Sequence, residues 1–362
     1  MIPLVKPYIA PKDEVMPALE SELYSGYIAS GKTVEEFERV LSGYLGSENV
    51  VALNSGSAAL HIALLLAGVK PGDEVISTAM TAEPTNTVIA QTGAKIVWAD
   101  VDLATGLASP DSIAESISER TRAIVIVHYA GMVCDMKRIN EVSDRCGIPV
   151  IEDAAHSFGA RFEGKRIGSN SQFTCFSFQA IKQLTTVDGG ALTLKDPALL
   201  GEARQLRWFG LDKHVSRLEN DIKRIGYKYA MNNVTAAFGL VQMRHIDNVV
   251  SRCIENGKFY DEALRSVPGV ELVPYYPDTE PSYWLYTMKV ERRDEFERMM
   301  EGKGITASPL HHRSDTHSVF SESRRSLPGL DEWYGSFVHI PCGWWVNEEK
   351  RAIIVDAIKG GW

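Results

Sequence analysis

Lys182 sits in the stretch "FTCFSFQAIKQLTTVDGG" (173–190), between an aromatic run centred on Ser177 and a Thr-Thr-Val-Asp-Gly-Gly turn. A lysine that acts as a nucleophile must first lose its proton, and a dry setting among aromatic and glycine residues disfavours the ammonium. Upstream, "IPVIEDAAHSFGA" (148–160) carries Glu152 and Asp153 at the end of an apolar run, with His156 four residues after Glu152. Further upstream, "NSGSAALHIALLLAG" (54–68) begins with the small-residue turn Asn54-Ser55-Gly56-Ser57 directly before a helical pattern. Each feature alone has an ordinary reading: a surface lysine, a carboxylate that caps a helix, and a serine N-cap at a strand–helix junction. Together they supply an amine for an aldehyde, an acid for a ring nitrogen, and unpaired backbone donors for an anion. Those are the three handles of pyridoxal phosphate.

In this reading Lys182 forms the Schiff base and, once released, moves a proton as general base and acid. Asp153 keeps the pyridine nitrogen protonated so that the ring accepts electrons. The Asn54-Ser55-Gly56-Ser57 turn seats the phosphate, with the Ser177 hydroxyl in reach of it from the strand before the lysine. Glu152, adjacent to Asp153, points to the opposite face of the sheet by strand alternation. His156 is either a cofactor neighbour or a packed loop histidine.

Positioning these residues calls for an open sheet. From about residue 48 to 195 short apolar runs such as "NVVAL", "DEVIST", "KIVWADVD", "RAIVIVHY" and "IPVIEDAA" alternate with amphipathic stretches, the pattern of buried parallel strands joined by crossover helices. The expected fold class is therefore α/β, with helices on both faces and ligands at the carboxyl ends of the strands. A long helical pattern at "NNVTAAFGLVQMRHIDNVVSRCIENGKFYDEALRS" leads into a Pro-rich loop at 274–281, a strand signal "WLYTMKVE" and a helix "DEFERMMEGKG". The expected division is a large α/β domain over 1–244 and a smaller α+β domain over 245–362. At 362 residues the chain exceeds what one hydrophobic core usually holds.

A formal net charge of -9 argues against nucleic acid or an anionic membrane surface as partner. No apolar run approaches the roughly 20 residues of a membrane span, and the first residues have no signal-peptide pattern, so a cytoplasmic location is expected. The five cysteines (Cys134, Cys146, Cys175, Cys253, Cys342) are widely spaced with no CxxC, which fits reduced, buried thiols. The histidines show no metal-ligand spacing, which argues against a metal enzyme.

The stretches "NSGSAALHIAL", "PGDEVIST", "VHYAGMVCDM", "VIEDAAHSFGA", "FSFQAIKQLTTVDGGAL", "GYKYAMNNVTAAFGLVQM" and "IPCGWW" run in the order found in a known family and span nearly the whole chain. The sequence resembles the DegT/DnrJ/EryC1/StrS sugar aminotransferases. The resemblance implies the type I aminotransferase fold, Lys182 as the cofactor-bearing lysine, Asp153 at the pyridine nitrogen, His156 near the ring and its phenolic oxygen, and Gly56, Ser57 and Ser177 at the phosphate. It also implies a homodimer whose "GYKYAMNN" loop closes the partner's site through Lys228 or Asn232. L-glutamate is the implied amino donor. The implied acceptor is a keto or aldehydo sugar of surface polysaccharide or lipopolysaccharide biosynthesis, either nucleotide-linked or a sugar acid such as 8-oxo-Kdo, which would give 8-amino-3,8-dideoxy-manno-octulosonate.

Two other readings go with this family. Its sugar dehydratases carry histidine in place of the lysine, so Lys182 favours transamination; a non-catalytic cofactor-binding regulator would need a DNA-binding domain for which the length leaves no room. Ala82, in "STAMTAEPTN", stands where many relatives have an aromatic residue stacked on the cofactor. In "SPLHHRSDTHSVF" (308–320), His311, His312 or Arg313 could meet an anionic group of the acceptor or could belong to a polar loop. His128 is either a crevice residue or a packing one, and Trp344 and Trp345 read as core or interface filler.

Overall fold

The computed structural model describes residues 1–362. Thirteen strands form three sheets: β1 (Val50–Leu53), β2 (Glu74–Thr78), β3 (Lys95–Ala99), β4 (Thr121–Val127), β5 (Val150–Asp153), β6 (Arg161–Phe162), β7 (Lys165–Arg166), β8 (Phe173–Ser177), β9 (Gly190–Leu194), β10 (Val270–Leu272), β11 (Thr279–Glu280), β12 (Tyr286–Val290) and β13 (Phe337–Ile340). The central sheet has seven strands in the order β1-β9-β8-β5-β4-β2-β3. It is parallel except for β9, which runs antiparallel to both β1 and β8. The runs "VVAL", "EVIST" and "GALTL" are buried at every position, as strands covered on both faces must be.

Local chemistry fixes the connections. Ser55 accepts the Ala58 N–H and opens helix Gly56–Leu66, while Asp135 accepts the Arg138 N–H and opens helix Met136–Cys146. Gly147 ends the latter in a left-handed conformation, φ 67°. The one long helix expected after residue 232 is two, Asn233–Met243 and Ile246–Ala263. The break falls where Gln242 and His245 hold the N-terminal segment: Gln242 accepts the Ala10 N–H and donates to the Tyr8 carbonyl, and His245 meets Glu14 at 3.1 Å. Of the five cysteines, Cys146 is exposed on the last turn of its helix, contrary to the expectation that all are buried.

The C-terminal part builds a second core around the sheet β10-β12-β13, with helices Arg293–Gly302 and Glu348–Lys359 contributing Phe296, Met300, Ile354 and Ile358. Of the first residues, Ile2 packs into this core, whereas Leu4, Val5 and Tyr8 pack against the larger one. The Ile2 N–H donates to the Gly304 carbonyl, and the indoles of Trp344 and Trp345 donate to the carbonyls of Lys6 and Pro3. The two tryptophans fill the core of the smaller unit, as expected from the sequence, and their indole N–H groups also hold Lys6 and Pro3. We propose a boundary near 245, with Ile2 alone of the first residues belonging to the smaller unit's core. No helix is long and apolar enough to cross a membrane.

Candidate active site

Lys182 lies on a loop between β8 and β9 that is pinched at its base. The Phe178 N–H donates to the Gly189 carbonyl and the Thr186 N–H donates back to the Phe178 carbonyl. The punctuators noted in the sequence make this closure possible. A Cβ on Gly189 would fall 2.2 Å from Thr186 Oγ1, so the glycine leaves room for that hydroxyl inside the closed turn. The Lys182 amine is held inside, over the Trp284 ring at 4.1 Å from its centroid, and it makes no ion pair. Burial lowers its pKa to about 8, against a small opposing pull from Asp153.

Asp153 ends β5 on the crevice side and is 5% exposed. Its carboxylate accepts the Thr85 hydroxyl at 2.7 Å and the Ala155 N–H at 3.1 Å. Thr85 is in turn 2.9 Å from Thr81. Desolvation raises the Asp153 pKa, and these two donors and Lys182 pull it back. An acid held this way keeps its charge when a cation is placed against it. Glu152 points to the other face, where it meets His128 at 2.7 Å in full burial. The Cys134 N–H donates to His128 Nδ1, which leaves Nε2 to donate to the carboxylate, and His128 is therefore a packing residue.

The turn before helix Gly56–Leu66 abuts the end of β8. A Cβ on Gly56 would lie 2.9 Å from Ser177 Cβ and 3.3 Å from its Oγ, and one on Gly190 would lie 2.5 Å from the Ser55 carbonyl carbon. Two glycines thus bring the first amides of a helix beside the Ser177 hydroxyl. These N–H groups have no partner within the helix, and the helix dipole adds partial positive charge, so the pocket suits a dianion.

His156 is buried and its ring stacks on Trp284, centroids 4.0 Å apart and planes 23° from parallel. The Ala130 N–H points at its Nδ1, at 3.4 Å. Burial, with Lys182 adding to it, pushes its pKa well down, so the imidazole is neutral. His311 lies in a near-parallel plane 5.8 Å from His156 and is also neutral, burial lowering its pKa to about 4. Arg313, by contrast, is committed to Asp315 at 2.8 Å and Asp331 at 2.5 Å, and His312 is exposed and bonded to Thr316. Of the three residues considered for an anionic acceptor, only His311 reaches the site, and it carries no charge there.

Three contributors were not singled out in the sequence. Thr85 follows Ala82 by less than one helical turn, in a loop read only for its missing aromatic. Trp284 lies in "SYWLYTM", read as the opening of a strand. Tyr129 is buried with ring centroids 5.5 Å from His156 and 5.4 Å from His339, and its hydroxyl donates to the Pro309 carbonyl. A threonine beside a strand end that faces a buried acid was the available signal for the first. The other two depend on contacts made across the fold.

Comparison with known proteins is consistent with this geometry. The DegT/DnrJ/EryC1/StrS aminotransferase family model matches residues 10–359. The chain belongs to this family. It is 38% identical to the sugar aminotransferase CalS13 of Micromonospora echinospora, with a TM-score of 0.97 and 100% of both chains covered. It is 36% identical over 358 residues to a UDP-4-amino-4-deoxy-L-arabinose–oxoglutarate aminotransferase of Shewanella sediminis, covering 91% of this chain and 90% of the relative. A sugar aminotransferase fold of Streptococcus pneumoniae, Spr1654, solved in its PLP form, matches at TM-score 0.91 with 28% identity over 99% of this chain and 98% of the other. The fold is thus the type I aminotransferase fold, the enzyme is a sugar aminotransferase, and its cofactor is pyridoxal phosphate.

The residues present fit that group. A desolvated amine without an ion-pair partner, a buried acid at a neighbouring strand end, and a glycine cradle at a helix N-terminus converge at the carboxyl ends of β5 and β8. The amine also sets a pH dependence. Only neutral lysine attacks an aldehyde, and burial places its titration near pH 8 in place of 10.5, so the neutral fraction grows as pH rises through about 8. The rate at which apoprotein captures pyridoxal phosphate, followed by the visible band of the bound form, is expected to climb from pH 6.5 to 9 and then level off. A rate still climbing steeply at pH 10 would contradict the burial argument.

The "GYKYAMNN" loop packs on its own chain. The Asn54 N–H donates to the Tyr229 carbonyl, and the Asn54 amide donates to the Lys228 carbonyl. Asn232 is exposed, and its Oδ1 caps helix Asn233–Met243 by accepting the Thr235 N–H at 2.9 Å. The Lys228 ammonium lies over Trp208 at 4.3 Å from the ring centroid.

Proposed function

We propose that this enzyme moves an amino group from L-glutamate to a nucleotide-linked keto-sugar in surface polysaccharide or lipopolysaccharide biosynthesis. The observation that carries the reading is the convergence of Lys182, Asp153 and the Gly56–Ser177 cradle. Bound pyridoxal phosphate supplies an aldehyde that joins amines and a ring that takes up electrons. Lys182 holds the cofactor and afterwards shuttles a proton at Nζ. Asp153 would lie at the ring nitrogen and hold a proton there. The amides of Gly56 and Ser57 and the Ser177 hydroxyl anchor the phosphate. The neutral rings of His156 and His311 offer hydrogen bonds to hydroxyl and carbonyl oxygens without favouring a negative charge.

The commitment of Arg313 to two aspartates favours a neutral sugar ring over a sugar acid at this wall, which ranks 8-oxo-Kdo second. The relative acting with oxoglutarate supports glutamate as donor. The reading carries with it a cytoplasmic homodimer, with the partner's Lys228 or Asn232 reaching the phosphate. The Asn232 oxygen is occupied as a cap, which orients the side chain and leaves its Nδ2 amide free to donate to a phosphate, while the Lys228 ammonium lies over Trp208, so Asn232 is the stronger of the two.

The test is a two-step titration. L-glutamate is expected to bleach the visible band of the purified protein and release 2-oxoglutarate. Candidate acceptors are then added to the aminated protein: UDP- and dTDP-linked 4-keto and 3-keto hexoses, and 8-oxo-Kdo. Return of the band with a nucleotide-linked sugar supports the reading. Return with 8-oxo-Kdo alone reverses the ranking, and failure of every amino acid to bleach the band overturns the assignment.

A further inference from the structure

The segment 282–285 crosses from the smaller unit to the rim of the crevice and brackets the lysine. The Trp284 indole N–H donates to the carbonyl of Ile181 at 2.9 Å, one residue before Lys182, and the Gln183 amide, one residue after it, donates to the Ser282 carbonyl at 2.9 Å. The segment is itself pinned to the large unit, for the Ser282 N–H donates to Gly131 and the Leu285 N–H to Ala130. Gly131 is needed for this approach: its φ is 94°, and a Cβ there would lie 2.7 Å from the Trp284 nitrogen. The indole is therefore fixed at one edge, covered on a face by His156, and offered to the Lys182 amine at 4.1 Å. Nothing else described at the site gives this amine an ion-pair partner.

We propose that Trp284 is the docking platform for the free Lys182 amine, holding it against the indole face during the part of the cycle in which it is not covalently engaged. This rests on the reading of Lys182 as the cofactor-bearing lysine. In a transaminase the lysine is released when the amino group is taken up, and a four-carbon side chain without an anchor would sample many rotamers. A cation over an indole is attracted by the ring's quadrupole, most strongly where water is excluded, and the attraction needs no carboxylate that would hold the amine permanently charged. Trp284 is on this account a positioning residue: it acts on the reaction through Lys182.

The experiment compares Trp284→Leu and Trp284→Phe with the wild type, each loaded with pyridoxamine phosphate and mixed with 2-oxoglutarate in a single turnover. Trp284→Leu is expected to slow the half-reaction about tenfold at saturating oxoglutarate with its apparent affinity unchanged, and Trp284→Phe, which keeps a π face, to retain most of the rate. Equal losses in the two variants, or none in either, overturn the proposal. Borohydride reduction of each pyridoxal-loaded protein followed by mass spectrometry checks the underlying reading separately, since an adduct away from Lys182 would sink that reading whatever the rates. Should Trp284→Leu fail to fold, the tryptophan emission of apoprotein and of Lys182→Met is compared. A difference that disappears when both are remade with Trp284→Phe supports the contact, and identical emission in the original pair overturns it.

Discussion

Lys182→Ala is expected to lose turnover of L-glutamate by more than about 10³-fold, because both the covalent anchor and the proton carrier go with one side chain. The fold should survive. The loop is closed by backbone hydrogen bonds at Phe178, Thr186 and Gly189 that the lysine side chain does not make. The buried ammonium is also a liability to the apoprotein: a pKa brought from 10.5 to about 8 means that keeping it charged costs roughly 3 kcal/mol near neutral pH. Circular dichroism and thermal melting of the apo variant should therefore match the wild type or exceed it slightly, while borohydride reduction leaves no cofactor adduct. Normal turnover would remove Lys182 from its role.

Asp153→Asn isolates charge from shape. The side chain is isosteric, and one of its two buried hydrogen bonds, from Thr85 or from Ala155, can persist through the amide oxygen. What is lost is the negative charge that we propose pairs with the ring nitrogen, and breaking a buried charge pair costs roughly 3–5 kcal/mol. The expected result is a variant that still captures cofactor on Lys182 but turns over L-glutamate about 10²- to 10⁴-fold more slowly. Steady-state rates and the visible spectrum of the same sample check both halves. Full activity with an amide at position 153 would mean that the ring nitrogen has another partner.

How much of this could be read from the chain before folding depended on distance along it. Buried strands such as "AIVIV" and "VVAL" show themselves because each is apolar throughout and bounded by punctuating residues, and β4 and β1 lie where those runs lie. Asp153 was legible for a similar reason, since strand alternation places it and Glu152 on opposite faces, as their partners Thr85 and His128 show. Strands β6, β7 and β11 were not, because two residues carry no period. Trp284 and Tyr129 escaped notice for a different reason: each joins the site through residues far away in sequence, and no local pattern announces such a contact. Arg313 illustrates the reverse error. Its charge is visible in the sequence, whereas the Asp315 and Asp331 carboxylates that consume it become its partners only in three dimensions.

The antiparallel β9 inserts between β1 and β8 with Gly190 opposite both Leu53 and Ser177. The cradle and the lysine loop are therefore stitched together by the last strand of the sheet to be synthesised. Pairings between such remote segments pay their loop-closure entropy before any contact rewards them, so they form slowly. Until that strand is seated a nascent chain has no complete place to receive the vitamin, and ligand present during synthesis can stabilise only molecules that have already finished the sheet.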